Sequence, residues 1–348
     1  MLNDTNKLKY ELPVELAARE PVELMSGSRD SSRLIIGFKN SDKIIDDYIL
    51  NFHNYINPGD LIILNNSKTV SPIFYAYSEK YGEVKFHIKT KNEEGYVIYI
   101  RIRSDLQDRI ISEKFFLSDK INVTVDKNIN GEEFLCSFNC SQEDLYDYLL
   151  VHGEAVRSIY TRKKWSIAYY QNGIANKLGS FENPAANRHF SNRILRALRK
   201  KGVKIGYITL NCASVDTKIF EEFIEEHSVF KEYYEIPEET AELIRDTKLN
   251  GNKIFAVGTT VIRTLESCEY DNFKIVSPLK NYTDLYIYPG YNFKITDALI
   301  TNFHGSMTSR LALSAAVIGT ENIMNLYRHA IDEQYLFYEF GDANLLFM

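Results

Sequence analysis

The chain has 348 residues, 45% of them hydrophobic and 25% charged, an ordinary globular balance that excludes a disordered, collagenous or coiled-coil chain. At the usual ~100 to 200 residues per domain, this length suggests about two domains. Forty-one Lys and Arg against 47 Asp and Glu give a formal charge of -6, so the whole molecule has no basic field to condense on a polyanion, and any nucleic-acid contact must come from a local patch. The four cysteines, Cys136, Cys140, Cys212 and Cys268, are too few for a disulfide framework and suit a reducing, cytoplasmic compartment. Residues 1 to 15 interleave charged and apolar side chains rather than forming a leader. No apolar run approaches the ~18 to 20 residues of a membrane span.

In chain order, Arg33 to Phe38 is a strand candidate and Asp60 to Leu64 an apolar strand. Between Pro72 and Phe138 the period is two. Val84, Phe86 and Ile88 form one face of a strand, and Tyr96, Ile98, Ile100 and Ile102 one face of the next, with Asn92 to Gly95 as the turn. Ile121, Val123 and Val125 repeat the pattern, and Asn128 to Gly131 turn the chain into Phe134 to Phe138. A small antiparallel sheet or barrel is expected there.

At Ser141 the period changes. Ser141-Gln142-Glu143-Asp144 has the form of a capping box before Leu145, Tyr148 and Leu149, and Gly153 stands where that helix would stop. Apolar runs at Val203 to Leu210, Lys253 to Val257 and Asp284 to Tyr288 then alternate with helical patterns at Ser191 to Lys201, Pro237 to Leu249, Thr260 to Cys268 and Thr320 to Tyr335. Such alternation predicts an α/β layer fold. The economical organisation is a discontinuous α/β domain, residues 1–71 and 141–348, interrupted by an all-β domain at 72–140.

Several chemistries lack their residues. There is no G-x-G-x-x-G or G-x-x-x-x-G-K-[ST] loop, which disfavours a dinucleotide or nucleoside triphosphate enzyme. Cys136 and Cys140 find no further Cys or His to complete a ligand set, H-E-x-x-H is missing, and no metal is expected. The G-x-S-x-G elbow of many hydrolases is missing too.

A series of ordered motifs carries a resemblance. Tyr10-Glu11-Leu12-Pro13, Ser32-Arg33-Leu34, Asn57-Pro58-Gly59-Asp60-Leu61 and Asn65-Asn66 are followed by Tyr170-Gln171, Pro184 and His189-Phe190. Then come Ala256-Val257-Gly258-Thr259-Thr260 with Arg263 and Leu265-Glu266, Tyr288-Pro289-Gly290, Thr301-Asn302-Phe303-His304 and Gly341-Asp342-Ala343. From about Tyr10 to Phe347 this order resembles the S-adenosylmethionine:tRNA ribosyltransferase-isomerase (QueA) family of queuosine biosynthesis. The resemblance implies a barrel-like α/β domain with an inserted all-β, barrel-like domain, the organisation that the periodicities suggest on their own. It also implies an S-adenosylmethionine-dependent transferase-isomerase. Such an enzyme transfers and rearranges the ribosyl part onto 7-aminomethyl-7-deazaguanine in tRNA, releases adenine and methionine, and leaves epoxyqueuosine at the wobble position.

The chain departs from the family's motifs at five places, three of them longer segments. A-A-P-T-A-G-L-H-F becomes Glu182-Asn183-Pro184-Ala185-Ala186-Asn187-Arg188-His189-Phe190; H-V-G-x-G-T-F becomes Asn211-Cys212-Ala213-Ser214-Val215-Asp216-Thr217, losing glycines that adopt φ > 0 cheaply; and L-P-x-S-T-L becomes Gly305-Ser306-Met307-Thr308-Ser309-Arg310. N-N-T-R also reads Asn65-Asn66-Ser67-Lys68, and the histidine of M-H-x-E is Phe230, with Glu232 kept. These changes would permit a small-molecule acceptor with the same sulfonium donor, or an RNA-binding relative whose catalytic pocket has decayed.

The implied reaction begins with proton loss beside a sulfonium and needs a base, an acid and a dry pocket. His304 and His189 are candidate bases because imidazole titrates near neutrality, although a lone histidine beside Phe303 is also a common core residue. Gly258, Thr259 and Thr260 open a helix after a strand and could hold a carboxylate or ribose, unless Thr260 merely caps that helix. Arg263 could clamp the methionine carboxylate, or simply pair with Glu266 at i+3. Asp297 and Asp342 are acid candidates, and turn or cap residues by the bland alternative. Asn65, Asn66 and Asn302 suit base edges but also mark turns, and Tyr170, Gln171 and Thr301 are binding candidates by resemblance. For tRNA, Arg157, Arg162, Lys163 and Lys164 and the run Arg193, Arg196, Arg199, Lys200 and Lys201 supply local charge, which would also suit a helix dipole or solubility.

Overall fold

The computed structural model describes residues 2–156, 161, 163–215 and 217–348. Among them, nine strands form one mixed sheet: β1 (Arg33–Phe38), β2 (Ser41–Tyr48), β3 (Leu61–Asn65), β4 (Lys204–Leu210), β5 (Glu232–Glu235), β6 (Ile254–Val257), β7 (Lys280–Thr283), β8 (Ala298–Asn302) and β9 (Ala343–Phe347). They lie in the order β7-β5-β4-β3-β6-β8-β9-β1-β2. The central four, β4, β3, β6 and β8, are parallel. Strand β9 runs antiparallel to β8 and parallel to β1.

The apolar runs of these strands follow from burial on both faces. Leu61 and Ile63 of β3, Ile254 and Ala256 of β6 and Leu299 of β8 join one core; Ile62, Leu64, Phe255, Val257 and Ile300 join the core on the opposite face. Successive side chains of a strand point to opposite sides, so both layers draw on the same strands. Seven helices are described: α1 (Val22–Ser26), α2 (Gln142–His152), α3 (Asn192–Lys201), α4 (Glu238–Leu249), α5 (Thr259–Glu266), α6 (Ser309–Ile318) and α7 (Thr320–Asp332). Helix α3 covers the second core through Ile194, Leu195 and Leu198, whereas α4 to α7 cover the first. At the start of α2 the Ser141 hydroxyl accepts the Asp144 N–H at 3.1 Å, and Gly153 ends the helix.

Between β3 and α2 six further strands close into an antiparallel barrel, from Ile73–Ser78 and Gly82–Lys91 to Glu133–Phe138. Phe74, Phe86, Ile88, Ile98, Phe115 and Val123 fill its interior. The barrel meets the sheet directly: Ser214 N–H donates to the Lys89 carbonyl at 2.7 Å, and the Thr90 hydroxyl to the Lys231 carbonyl at 3.2 Å. No described helix is long and apolar enough to cross a membrane.

Two elements differ from expectation. The strand expected at Asp284 to Tyr288 lies earlier, as β7, which pairs with β5 at the sheet edge. Leu285, Tyr286 and Ile287 continue from it outside any strand, and Arg263 Nε takes the Leu285 carbonyl at 2.9 Å. Helix α6 has no sequence periodicity because Leu311 to Ile318 are buried all round, so no polar stripe marks it.

Candidate active site

A cavity of about 730 Å³ lies where the carboxyl ends of β4, β6 and β8 meet the barrel. Cys212 and Ala213 follow β4, Gly258 to Thr260 follow β6, and Thr301 to His304 end and follow β8; all line it. Parallel strands leave their crevice at this edge because each chain turns there into its crossover. The barrel adds His87 and Lys89. His87 Nε2 stands 2.8 Å from the Ser214 hydroxyl.

Helix α5 starts in the cavity wall. Gly258 has φ 91°, and its N–H donates to the Ile300 carbonyl at 2.7 Å. The cap residue is therefore Gly258, not Thr260, and Asn65 Nδ2 reaches the Thr260 hydroxyl at 3.3 Å. First-turn N–H groups have no partner inside a helix, which gives this wall a positive end. Arg263, one turn beyond Thr259, lines the same wall. Gly258→Ala must hold an L side chain at positive φ, so we expect about 1–2 kcal/mol of destabilisation, read as a lower urea midpoint.

Arg263 does not pair with Glu266. It pairs with Glu232, whose other oxygen accepts the Ala213 N–H at 2.7 Å. Glu266 is buried and accepts from the N–H groups of Lys294 and Thr296 at 2.7 and 3.1 Å. Burial, with Glu232 nearby, pushes the Cys212 thiol up to about 12, away from the thiolate form that a nucleophile needs.

His304 Nε2 lies 3.0 Å from the Thr301 hydroxyl, and its N–H donates to Tyr327 Oη at 2.9 Å. Burial, and secondarily Arg310, lower its pKa to about 3, so the ring is neutral at physiological pH. His189 is fully buried behind the cavity, where Asn302 Nδ2 donates to its Nε2 at 3.1 Å. It lies outside the lining, whereas Asn302 and Tyr170 are part of it.

Comparison with known proteins gives one consistent answer. Residues 5–346 match the family described as Queuosine biosynthesis protein. The chain belongs to that family. A relative from Francisella tularensis subsp. tularensis (strain WY96-3418), named S-adenosylmethionine:tRNA ribosyltransferase-isomerase, is 32% identical over 348 residues, covering 99% of each chain. A relative of the same name from Francisella tularensis subsp. novicida (strain U112) is 31% identical, again over 99% of each. The crystal structure of S-adenosylmethionine tRNA ribosyltransferase from Thermotoga maritima matches with a TM-score of 0.55 and 28% identity, over 98% of this chain and 99% of that one.

For this member of the queuosine family, two departures from the motifs meet in space. Glu182 and Arg310 form a two-pronged ion pair on the cavity wall, with N···O distances of 2.9 and 2.8 Å. Burial opposes the charge on Arg310, but Glu182 outweighs it and raises the guanidinium pKa. Each residue answers the charge of the other. In a double-mutant cycle of Glu182→Gln and Arg310→Gln we expect a coupling of about 1 kcal/mol in unfolding free energy, the pair being partly exposed.

The other candidates hold the frame. Asn65 Oδ1 accepts the N–H groups of Ser67 and Leu210 at 3.0 and 3.1 Å, and its Nδ2 donates to the Leu210 carbonyl at 3.0 Å, tying β3 to β4. Asn66 Oδ1 accepts from the Thr209 hydroxyl, and Gln171 brackets the Thr69 backbone. Asp297 stands at the amino end of β8, away from the cavity, bound to Lys248 at 2.7 Å and to the Ile254 N–H. Asp342 is buried and accepts the N–H groups of Arg33 and Leu336, both at 2.8 Å.

Of the basic residues, Arg157 and Arg162 lie outside the described residues. Lys164 pairs with Glu154 and Arg193 with Asp30, while Lys201 donates to the His53 carbonyl. Sequence reasoning missed His87, and it read Glu182 and Arg310 only as departures from the motifs, not as a pair. His87 had a signal, since it alternates with the inward Phe86 and Ile88 and so points out of the barrel. Among the described residues, no three His, Cys, Asp or Glu side chains are grouped as a metal ion requires.

Proposed function

We propose that this chain transfers and isomerises the ribosyl group of S-adenosylmethionine onto 7-aminomethyl-7-deazaguanine in tRNA, releasing adenine and methionine and forming epoxyqueuosine. The observation that carries this reading is a single cavity, bounded by sheet and barrel, that joins a helix start, two Arg–Glu pairs and a neutral histidine. Its volume lies in the ~300–1,000 Å³ range of small-molecule sites. On this reading residues 72–140 are a domain inserted into the larger one, 1–71 and 141–348, and the protein works in the cytoplasm among tRNAs.

The amino-acid end of the donor carries one carboxylate and one ammonium. We assign the carboxylate to the first turn of α5, at Thr259 and Thr260, with Arg263 beside it, and the ammonium to Glu232. The sulfonium acidifies the adjacent ribose methylene, and His304 takes that proton as a neutral imidazole beside Thr301. The imidazolium so formed is disfavoured beside Arg310, and a ligand anion near that guanidinium would relieve the repulsion. Asn302, held by His189, presents its amide at the wall.

The test is adenine release from S-adenosylmethionine, first alone and then with tRNA bearing the deazaguanine. Release that depends on the tRNA supports the reading. Release without RNA points to a small acceptor, and RNA binding with no release removes the enzymatic reading.

A further inference from the structure

The barrel has an outer face that the cavity only begins to use. On the strand Gly82–Lys91 the inward residues are Val84, Phe86 and Ile88, so Glu83, Lys85, His87 and Lys89 point outward. His87 and Lys89 line the cavity. Moving away from it along the same row, Lys85 lies opposite Tyr75, and Glu83 opposite Tyr77, which in turn pairs with Phe116. Tyr75, Tyr77 and Phe116 are 44%, 54% and 50% exposed. Large aromatic side chains in register on an open sheet face are out of keeping with the barrel's full inner core.

The charges on this face favour a polyanion. Arg101 lies opposite Lys85, and Lys114 is two residues from Phe116 on the same side of its strand. Lys89 Nζ stands 5.7 Å from the centroid of Tyr99, which is paired with His87. Four cations therefore accompany the aromatics, against the carboxylates of Glu83, of Glu133 opposite Tyr99 and of Asp126, two residues beyond Thr124, which faces Lys114. Flat aromatic faces interleaved with Lys and Arg are what single-stranded nucleic acid requires, because every base can stack and every linkage carries a charge. A net charge of -6 gives no attraction over the whole surface, so RNA binding needs a local face of this kind.

We propose that the outer barrel face, from His87 and Lys89 at the cavity to Tyr75, Tyr77 and Phe116, binds the unpaired nucleotides flanking the modified base. It stacks their bases and holds their phosphates while that base occupies the cavity. The proposal rests on the tRNA-modifying function above and assigns its RNA surface to the barrel, which borders the cavity, rather than to α3, none of whose residues lines it.

The test uses the full chain and an anticodon stem-loop RNA bearing the 7-aminomethyl-7-deazaguanine. In the triple variant Tyr75→Ala, Tyr77→Ala, Phe116→Ala, KM and Kd for the RNA should rise by about 10-fold or more, the scale of lost stacking. Its kcat at saturating RNA and its Kd for S-adenosylmethionine should stay unchanged. Tyr75→Phe with Tyr77→Phe keeps the rings and should bind as the unsubstituted protein does. Lys85→Ala with Arg101→Ala should flatten the dependence of binding on salt. If the unsubstituted protein binds the RNA and releases adenine while the triple variant keeps KM and Kd within about twofold, the platform is wrong and the function stands. If the unsubstituted protein neither binds the RNA nor turns over, the functional reading itself has failed. A dimer that the triple variant converts to monomer in the absence of RNA would overturn the platform in favour of a contact between copies.

Discussion

Replacing His304 by Ala is expected to slow adenine release by about 100-fold or more at saturating S-adenosylmethionine and tRNA, the scale on which a positioned proton acceptor contributes. The ring is neutral before reaction because burial and Arg310 lower its pKa to about 3, so it is in the accepting form across the neutral range, and it becomes an effective base once a ligand anion offsets Arg310. Its side chain makes one hydrogen bond described here, to Thr301, and its backbone N–H donates to Tyr327. The backbone contact survives substitution, so the donor Kd should change little. His304→Gln separates chemistry from shape, since an amide can keep the contact with Thr301 but cannot take the proton. It should be as slow as His304→Ala. A glutamine variant that turns over at the original rate would leave His304 a positioning role only. Because the ring of the ligand-free protein does not titrate near neutrality, kcat/KM between pH 6 and 8 should show no ionisation traceable to it.

Acid is expected to destabilise the fold earlier than carboxylate protonation alone would. His87, His189 and His304 each have a native pKa lowered to about 3, chiefly by burial, with Lys89, Arg188 and Arg310 respectively as the next cause. In the unfolded chain a histidine titrates near 6.5. Between these values the unfolded state binds more protons, so stability falls as pH falls. The contribution is complete above pH ~6.5 and is lost progressively toward pH ~3. Each unit below ~6.5 removes about 1.4 kcal/mol per histidine, and three together remove about 4 kcal/mol by pH ~5.5. That is a large share of a typical ~5–15 kcal/mol total. Thermal melting should therefore drop steeply from pH 7.5 to 5.5. His189→Gln can still accept from Asn302 and should flatten that drop by about a third. A melting temperature constant over the interval would mean that these rings protonate as readily in the native state as in the unfolded one.

Much of the scaffold was legible because its signals are local. Alternation placed the barrel strands at Val84 to Ile88 and Tyr96 to Ile102, and the Ser141 cap and the glycine at 153 bounded α2. Helix α6 left no trace, since burial on every side erases periodicity. The strand expected at Asp284 to Tyr288 was misplaced because an apolar run marks burial, and only neighbouring strands decide whether it joins a ladder.

The candidate site divides in the same way. By itself the sequence determined the family-like order of motifs and the runs Gly258-Thr259-Thr260 and Thr301 to His304, each a short stretch whose residues stay neighbours however the chain folds. Only the tertiary structure decided which distant residues face one another. It joined Glu182 to Arg310 and Arg263 to Glu232, and it brought His87 from the barrel to Ser214. It also put Asp297 at the far end of β8 and Asp342 on backbone amides. The reason is physical: a hydrogen bond needs its partner within about 3 Å and a charge acts strongly only over a few more, and for residues tens or hundreds of positions apart those distances are set by packing of the whole chain.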